Sequence, residues 1–157
     1  MKRTFSVPAL ALAGITAAAY VALTLLFAPI SFAQIQFRIS EALTLLPVLS
    51  PAFVPGLFIG CLGANLITGQ PWQDVVFGSL ASLAAAVFTR RFRQKLWLAA
   101  LMPVAINAVV IGLMLYAAYG LHPYISFLTV GAGQAVVCYG LGVPLVRVLE
   151  KRKLNFI

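Results

Sequence analysis

Three carboxylates and one imidazole are all the carboxyl and histidine chemistry in the 157 residues: Glu41, Asp74, Glu150 and His122. A hydrolytic or transfer site needs a nucleophile held by a base, an acid–base pair or a metal cluster. Scattered acids and one histidine beside Pro123 supply none of these, so no catalytic residue, no metal ligand and no enzyme are expected. Cys61 and Cys138 each fall inside an apolar run, where a cysteine acts as a small buried hydrophobe rather than a disulfide partner. The remaining chemistry is hydrogen bonding at depth. Arg38, Glu41, Asn65, Trp72, Asp74, Asn107, Tyr116 and Gln134 stand within or beside apolar segments. Ionisable and amide groups placed there are candidates for binding a small molecule, because hydrocarbon cannot satisfy them.

Those residues need elements that hold them, and composition says which. With 62% apolar and 9% charged residues, the chain is far from the usual globular mix of roughly half apolar and a quarter charged. Water does not solvate such a surface; a bilayer does. The net charge of +8 comes as much from missing acids as from added bases. The bases lie between apolar runs rather than on a solvated face, which argues against a nucleic-acid partner.

About 20 apolar residues cross hydrocarbon, and the pattern yields an all-α, single-domain membrane bundle over 1–157. Six transmembrane spans are expected at 7–28, 36–50, 52–69, 73–89, 96–119 and 124–149. The first could also be a secretory signal peptide, but it is long for one and similar segments follow it. The block 39–69, broken by Pro47, Pro51 and Pro55, is ambiguous until charge is considered. Cytoplasmic loops collect Lys and Arg. Three basic clusters occur: Lys2 and Arg3; Arg90, Arg91, Arg93 and Lys95; Arg147, Lys151, Arg152 and Lys153. Placing all three inside requires an even number of crossings between them, so the ambiguous block contributes two and both termini are cytoplasmic.

Helices in lipid approach closely only through small side chains. Ala9, Ala13 and Ala17 form one such row on the first span, and Gly14, Ala18 and Ala22 another; Gly56 and Gly60 form a pair in the third. Internal packing accounts for the glycine pair. For the alanine rows, packing and a docking surface for a partner helix are evenly matched. The polar residues also have structural alternatives: an aromatic belt for Trp72 and the tyrosines, helix-dipole capping for Asp74, a local ion pair for Arg38 with Glu41, and interhelical glue for Asn107 and Gln134. Their shared placement in the outer half favours a pocket open outward and closed from within.

The stretch FRISEALTLLPVLSPAFVPGLFIGCLGANLITG, continuing through DVVFGSLASLAAAVFTRR, resembles the QueT family, as do the asparagine after MPVAI and the GQ and GVPL elements of the last span. These are S-components, the substrate-binding subunits of energy-coupling factor importers for queuosine precursors. The resemblance implies six helices in a bacterial cell membrane and a ligand bound near the outer face. It also implies a transmembrane coupling protein and two cytoplasmic ATPases as partners. ATP is then used by those partners, and this chain carries no cofactor; it has no G-x-x-x-x-G-K-[ST] loop. Docking of the coupling protein on an alanine row maps to Ala9, Ala13 and Ala17, with Ala18 and Ala22.

A 7-deazaguanine ligand presents adjacent N–H donors that suit a carboxylate and a carbonyl that suits an amide. Glu41 or Asp74 can take the ring edge while the other pairs with an aminomethyl ammonium. Asn65, Asn107 and Gln134 offer amide contacts, and Trp72 or Tyr116 a stacking face. The loop 29–37 is expected to cover the site. A different vitamin or purine, or a structural subunit with no ligand, stays open as an alternative.

Overall fold

The computed structural model describes residues 6–31 and 37–152, and these form helices joined by short turns, without a strand among them. Helix α1 (Val7–Leu26) starts where the Ser6 hydroxyl accepts from the Ala9 N–H, with Pro8 in the first turn where a missing N–H costs nothing. A short turn, α2 (Ala28–Ser31), follows. Next come a 3₁₀ helix (Ile39–Val48), α3 (Phe53–Ile67), a π-helical segment (Asp74–Gly78) running into α4 (Ser79–Arg91), and α5 (Leu96–Tyr119). Helix α6 (Pro123–Val137) continues through a second π-helical segment (Cys138–Gly142) into α7 (Val143–Lys151). Left-handed glycines end two of them: Gly69 (φ 65°) closes α3 and Gly120 (φ 65°) caps α5, its N–H on the Tyr116 carbonyl.

Three of these helices are long and apolar enough to cross a membrane: Val7–Leu26, Leu96–Tyr119 and the continuous Pro123–Lys151. The expected spans 96–119 and 124–149 agree closely with α5 and with α6 through α7. The expected helix at 36–50 is different in kind. Ten residues of 3₁₀ helix rise about 2.0 Å each, so Ile39–Val48 reaches as far as about thirteen α-helical residues would. Eight of its ten residues are buried, and it touches α1, α3, α4, α5, α6 and α7, so it forms the bundle's axis rather than its lipid face. Tighter winding accommodates Pro47 inside the element.

Around that axis α1 packs on α3, α3 on α4, α4 on α5 and α5 on α6. The α1–α3 seam is set by the glycine pair. A Cβ at Gly56 would lie 2.4 Å from the Ala13 carbonyl oxygen, and one at Gly60 would lie 2.7 Å from the Tyr20 Cβ. Ala13 and Ala17 lie against these glycines, whereas Gly14, Ala18 and Ala22 face outward on the exposed side of α1. Arg90, Arg91, Arg93 and Lys95 stand at the α4–α5 connection and Lys151 and Arg152 at the end of α7, while Arg147 within α7 reaches the start of α5. There Arg147 lies 5.4 Å over the Trp97 ring, which stacks on Tyr139. Lys2, Arg3 and Lys153 lie outside the described residues.

The last turn of the 3₁₀ helix leaves carbonyls without intrahelical donors. Arg90 supplies them from α4, its Nη1 donating to the Pro47 oxygen at 3.1 Å and the Val48 oxygen at 2.9 Å. Hydrogen bonds from charged donors contribute about 1.5–3 kcal/mol. Arg90→Ala should therefore lower the thermal midpoint in detergent by a stability loss of about 1–2 kcal/mol. Arg91→Ala, at an exposed neighbour, should change it by less than about 0.5 kcal/mol.

Candidate functional site

The first turn of the 3₁₀ helix delivers Glu41 to the bundle centre, where only 2% of its surface is exposed. Three elements aim donors at its carboxyl. Tyr20 of α1 donates its hydroxyl to Oε1. Ser82 of α4 also donates to Oε1, at 3.3 Å, and Asn107 of α5 donates through Nδ2 to Oε2, at 3.3 Å. The Glu41 backbone oxygen accepts from Thr44 at 2.6 Å and is faced by the Cys138 thiol of the second π segment at 3.9 Å. A carboxylate offers roughly four lone-pair positions, so three protein donors leave room for one more.

Beside this carboxyl is a cavity of about 10 Å³ lined by Arg38, Glu41, Gly78, Ser82, Asn107 and Gln134, with Ile111 and Val130 as its apolar wall. That is the room of about one water. Arg38 is 8% exposed and its guanidinium lies in the field of both Glu41 and Asp74. Gln134 faces the cavity and its Oε1 is 3.6 Å from the Cys138 thiol. Gly78 keeps the wall open: a Cβ there would come within 3.1 Å of Asn65 Nδ2. Asn65, fully buried, donates to the Asp74 backbone oxygen at 3.0 Å and so ties α3 to the π segment. Its Oδ1 is buried and finds no hydrogen-bond partner among the described residues. Asp74 itself is 6% exposed, its Oδ2 accepting from the Tyr119 hydroxyl at 3.5 Å.

Of the residues singled out in the sequence, Arg38, Glu41, Asn107 and Gln134 share one cavity, and Asn65 stands directly behind Gly78, bonded to the Asp74 backbone. Trp72 and Tyr116 do not join them. They are 66% and 53% exposed on the bundle surface, Trp72 against Phe77 with ring centroids 6.5 Å apart. Most of the covering loop expected at 29–37 lies outside the described residues.

Two residues of the cluster escaped the sequence reading, Tyr20 and Ser82. For Tyr20 the signal was a polar row: Thr16, Tyr20 and Thr24 recur every fourth residue on α1, and all three are buried. Thr24 continues the network, donating to the Ser40 hydroxyl at 2.8 Å. Among the described residues, no three His, Cys, Asp or Glu side chains gather to hold a metal ion.

No solved structure matches this chain. A curated protein of Lactococcus lactis subsp. cremoris (strain MG1363), described as queuosine precursor transporter QueT, is 34% identical over 90 residues, which cover 53% of each chain. The match thus spans about half the length of that relative. The profile of the QueT transporter family matches residues 10–151. With a central polar cluster held among apolar helices and this match over nearly its whole length, the chain belongs to the QueT transporter family.

Proposed function

We propose that this chain is the substrate-binding S-component of an energy-coupling factor importer, capturing a queuosine precursor of the 7-deazaguanine type from outside the cell. One observation carries the assignment: Arg38, Glu41, Asn107 and Gln134, four buried charged or amide side chains from three parts of the chain, line one cavity. The edge of a deazaguanine needs an acceptor for adjacent N–H groups and a donor for its carbonyl. Glu41 supplies the first, and Arg38 or an amide of Asn107 or Gln134 the second. Formal charge adds a preference. Two acids, Glu41 and Asp74, against one guanidinium, Arg38, leave a net of −1, which suits an aminomethyl ammonium better than a neutral nitrile.

Six crossings with both termini cytoplasmic fit this role, because they bring the basic residues to the inner face and the Glu41 cluster nearer the outer one. The chain needs no cofactor of its own; a transmembrane coupling protein and two ATPases drive release with ATP. The exposed Gly14, Ala18 and Ala22 face of α1 suits docking of the coupling protein, with Ala9, Ala13 and Ala17 lying on the side nearer α3.

The small size of the cavity favours one competitor, a structural membrane subunit in which Glu41 only joins helices. Calorimetric titration of the purified protein with 7-aminomethyl-7-deazaguanine, the 7-cyano analogue and guanine decides between them. One-to-one binding, tighter for the aminomethyl base than for the nitrile by about tenfold, is the expected result. Heat from none of the three, with monodisperse protein, would sink the transporter assignment.

A further inference from the structure

Ligand pockets usually enclose about 300 Å³ or more, and the Glu41 cavity has about 10 Å³. A second, more open apolar groove of about 500 Å³ lies on the bundle surface, where Trp72, Phe77 and Leu113 are exposed. Its walls are Trp72, Gln73 and Phe77 on one side and Leu113, Met114 and Ala117 of α5 on the other. Residues lining the two spaces are neighbours in the chain and in packing. Phe77 faces the groove and its neighbour Gly78 the small cavity; Met114 lines the groove and Ile111, one turn back on the same helix, the small cavity. Met114 and Ile111 pack in one cluster with Ala81 and Val130, and Val130 also lines the small cavity.

Resting on the assignment of a heterocyclic ligand, we propose that the groove is an antechamber in which a planar heteroaromatic molecule lies against Trp72 and Phe77 before passing Met114 into the Glu41 cavity. The lining suits a flat ring: the Trp72 and Phe77 rings, centroids 6.5 Å apart and planes tilted by 44°, form one aromatic surface beside apolar walls, and Gln73 adds an amide. Met114 is 5% exposed and unbranched, and a thioether with three rotatable bonds yields more readily than a β-branched side chain. The Asp74 carboxyl, held by the Tyr119 hydroxyl, follows Trp72 and Gln73 in the chain and offers an ammonium its first electrostatic contact on the way in. The antechamber explains why Trp72, exposed and remote from Glu41, belongs to the same path.

Trp72 and Trp97 are the two tryptophans, so Trp97→Phe leaves Trp72 as the sole indole reporter. This variant, in phosphatidylcholine nanodiscs, is mixed rapidly with 7-aminomethyl-7-deazaguanine while affinity is measured separately by calorimetry. The expected record is a fast Trp72 change that scales with ligand concentration, then a slower phase. Met114→Phe should slow that second phase about tenfold, Met114→Ala should quicken it, and the volume-conserving Met114→Leu should stay near wild type. Affinity should move much less than the rates, because Met114 is passed in both directions. Calorimetric binding with a silent Trp72, or with rates indifferent to Met114→Phe, overturns the antechamber and leaves the Glu41 site standing. Brominated acyl chains that quench Trp72 equally with and without ligand also overturn it, placing lipid in the groove. If calorimetry detects no binding to the wild type, both assignments fall together.

Discussion

Glu41→Gln is expected to weaken binding of 7-aminomethyl-7-deazaguanine by about a hundredfold or more, the consequence of removing one member of a buried, hydrogen-bonded charged set. The substitution preserves volume and replaces one acceptor oxygen by a donor NH₂. Hydroxyls can reverse their roles, so Tyr20 and Ser82, which share Oε1, can accept from the new amide. Asn107 cannot do so without flipping, because it now donates to Oε2. The bundle should therefore stay folded with a lowered thermal midpoint, while the site loses both a formal charge and the acceptor left for the ligand. Glu41→Asp keeps the charge but withdraws it by one methylene, so it should recover part of the affinity if charge dominates and little if reach does. Size-exclusion chromatography and calorimetry on the same preparations separate folding from binding. A Glu41→Gln protein that binds as tightly as wild type would remove Glu41 from the site and return it to the role of helix glue.

The reach of sequence reasoning here has a physical boundary. Long lipid-facing spans announce themselves by composition, so α1, α5 and the α6–α7 helix were legible to within a few residues. The 3₁₀ helix was not. Ile39–Val48 is buried on nearly every side, and an element without a polar face shows no period by which an α-helix and a 3₁₀ helix can be told apart. Both π segments were hidden for the same reason, since one widened turn leaves no pattern in an apolar run. At the site, Glu41, Asn107 and Gln134 stood out because charged and amide groups have no stable home in hydrocarbon. Tyr20 and Ser82 did not. A serine or threonine hydroxyl in a helix commonly satisfies itself on the carbonyl four residues back, as Thr16 and Ser79 do here, and a tyrosine within an apolar run looks like a core aromatic. Trp72 and Tyr116 were grouped with the amides because an aromatic at a helix end looks the same in sequence whether it stacks on a ligand or anchors at an interface.

Two glycines, Gly60 of α3 in the α1–α3 seam and Gly14 on the outward face of α1, should respond in opposite ways, and the contrast tests how α1 divides its two faces. At Gly60 a Cβ would lie 2.7 Å from the Tyr20 Cβ and 3.1 Å from the Ala17 backbone, so nothing flexible can yield. Gly60→Val must push α1 away from α3, and α1 carries the Tyr20 hydroxyl that holds Glu41. Overpacking of this kind costs about 1–3 kcal/mol, and the displaced Tyr20 adds loss of ligand affinity to loss of stability. A Cβ at Gly14, by contrast, meets nothing within 4 Å. Gly14→Leu should leave the thermal midpoint within about 0.5 kcal/mol of wild type and ligand binding unchanged. It should nevertheless suppress uptake by whole cells if the Gly14, Ala18 and Ala22 face receives the coupling protein, since a bulky side chain keeps two helix backbones apart. Uptake that survives Gly14→Leu and the corresponding changes at Ala18 and Ala22 would show that this face meets only lipid. In that case the small residues on the outer side of α1 reflect its packing history in the bilayer, and docking has to be sought on another helix.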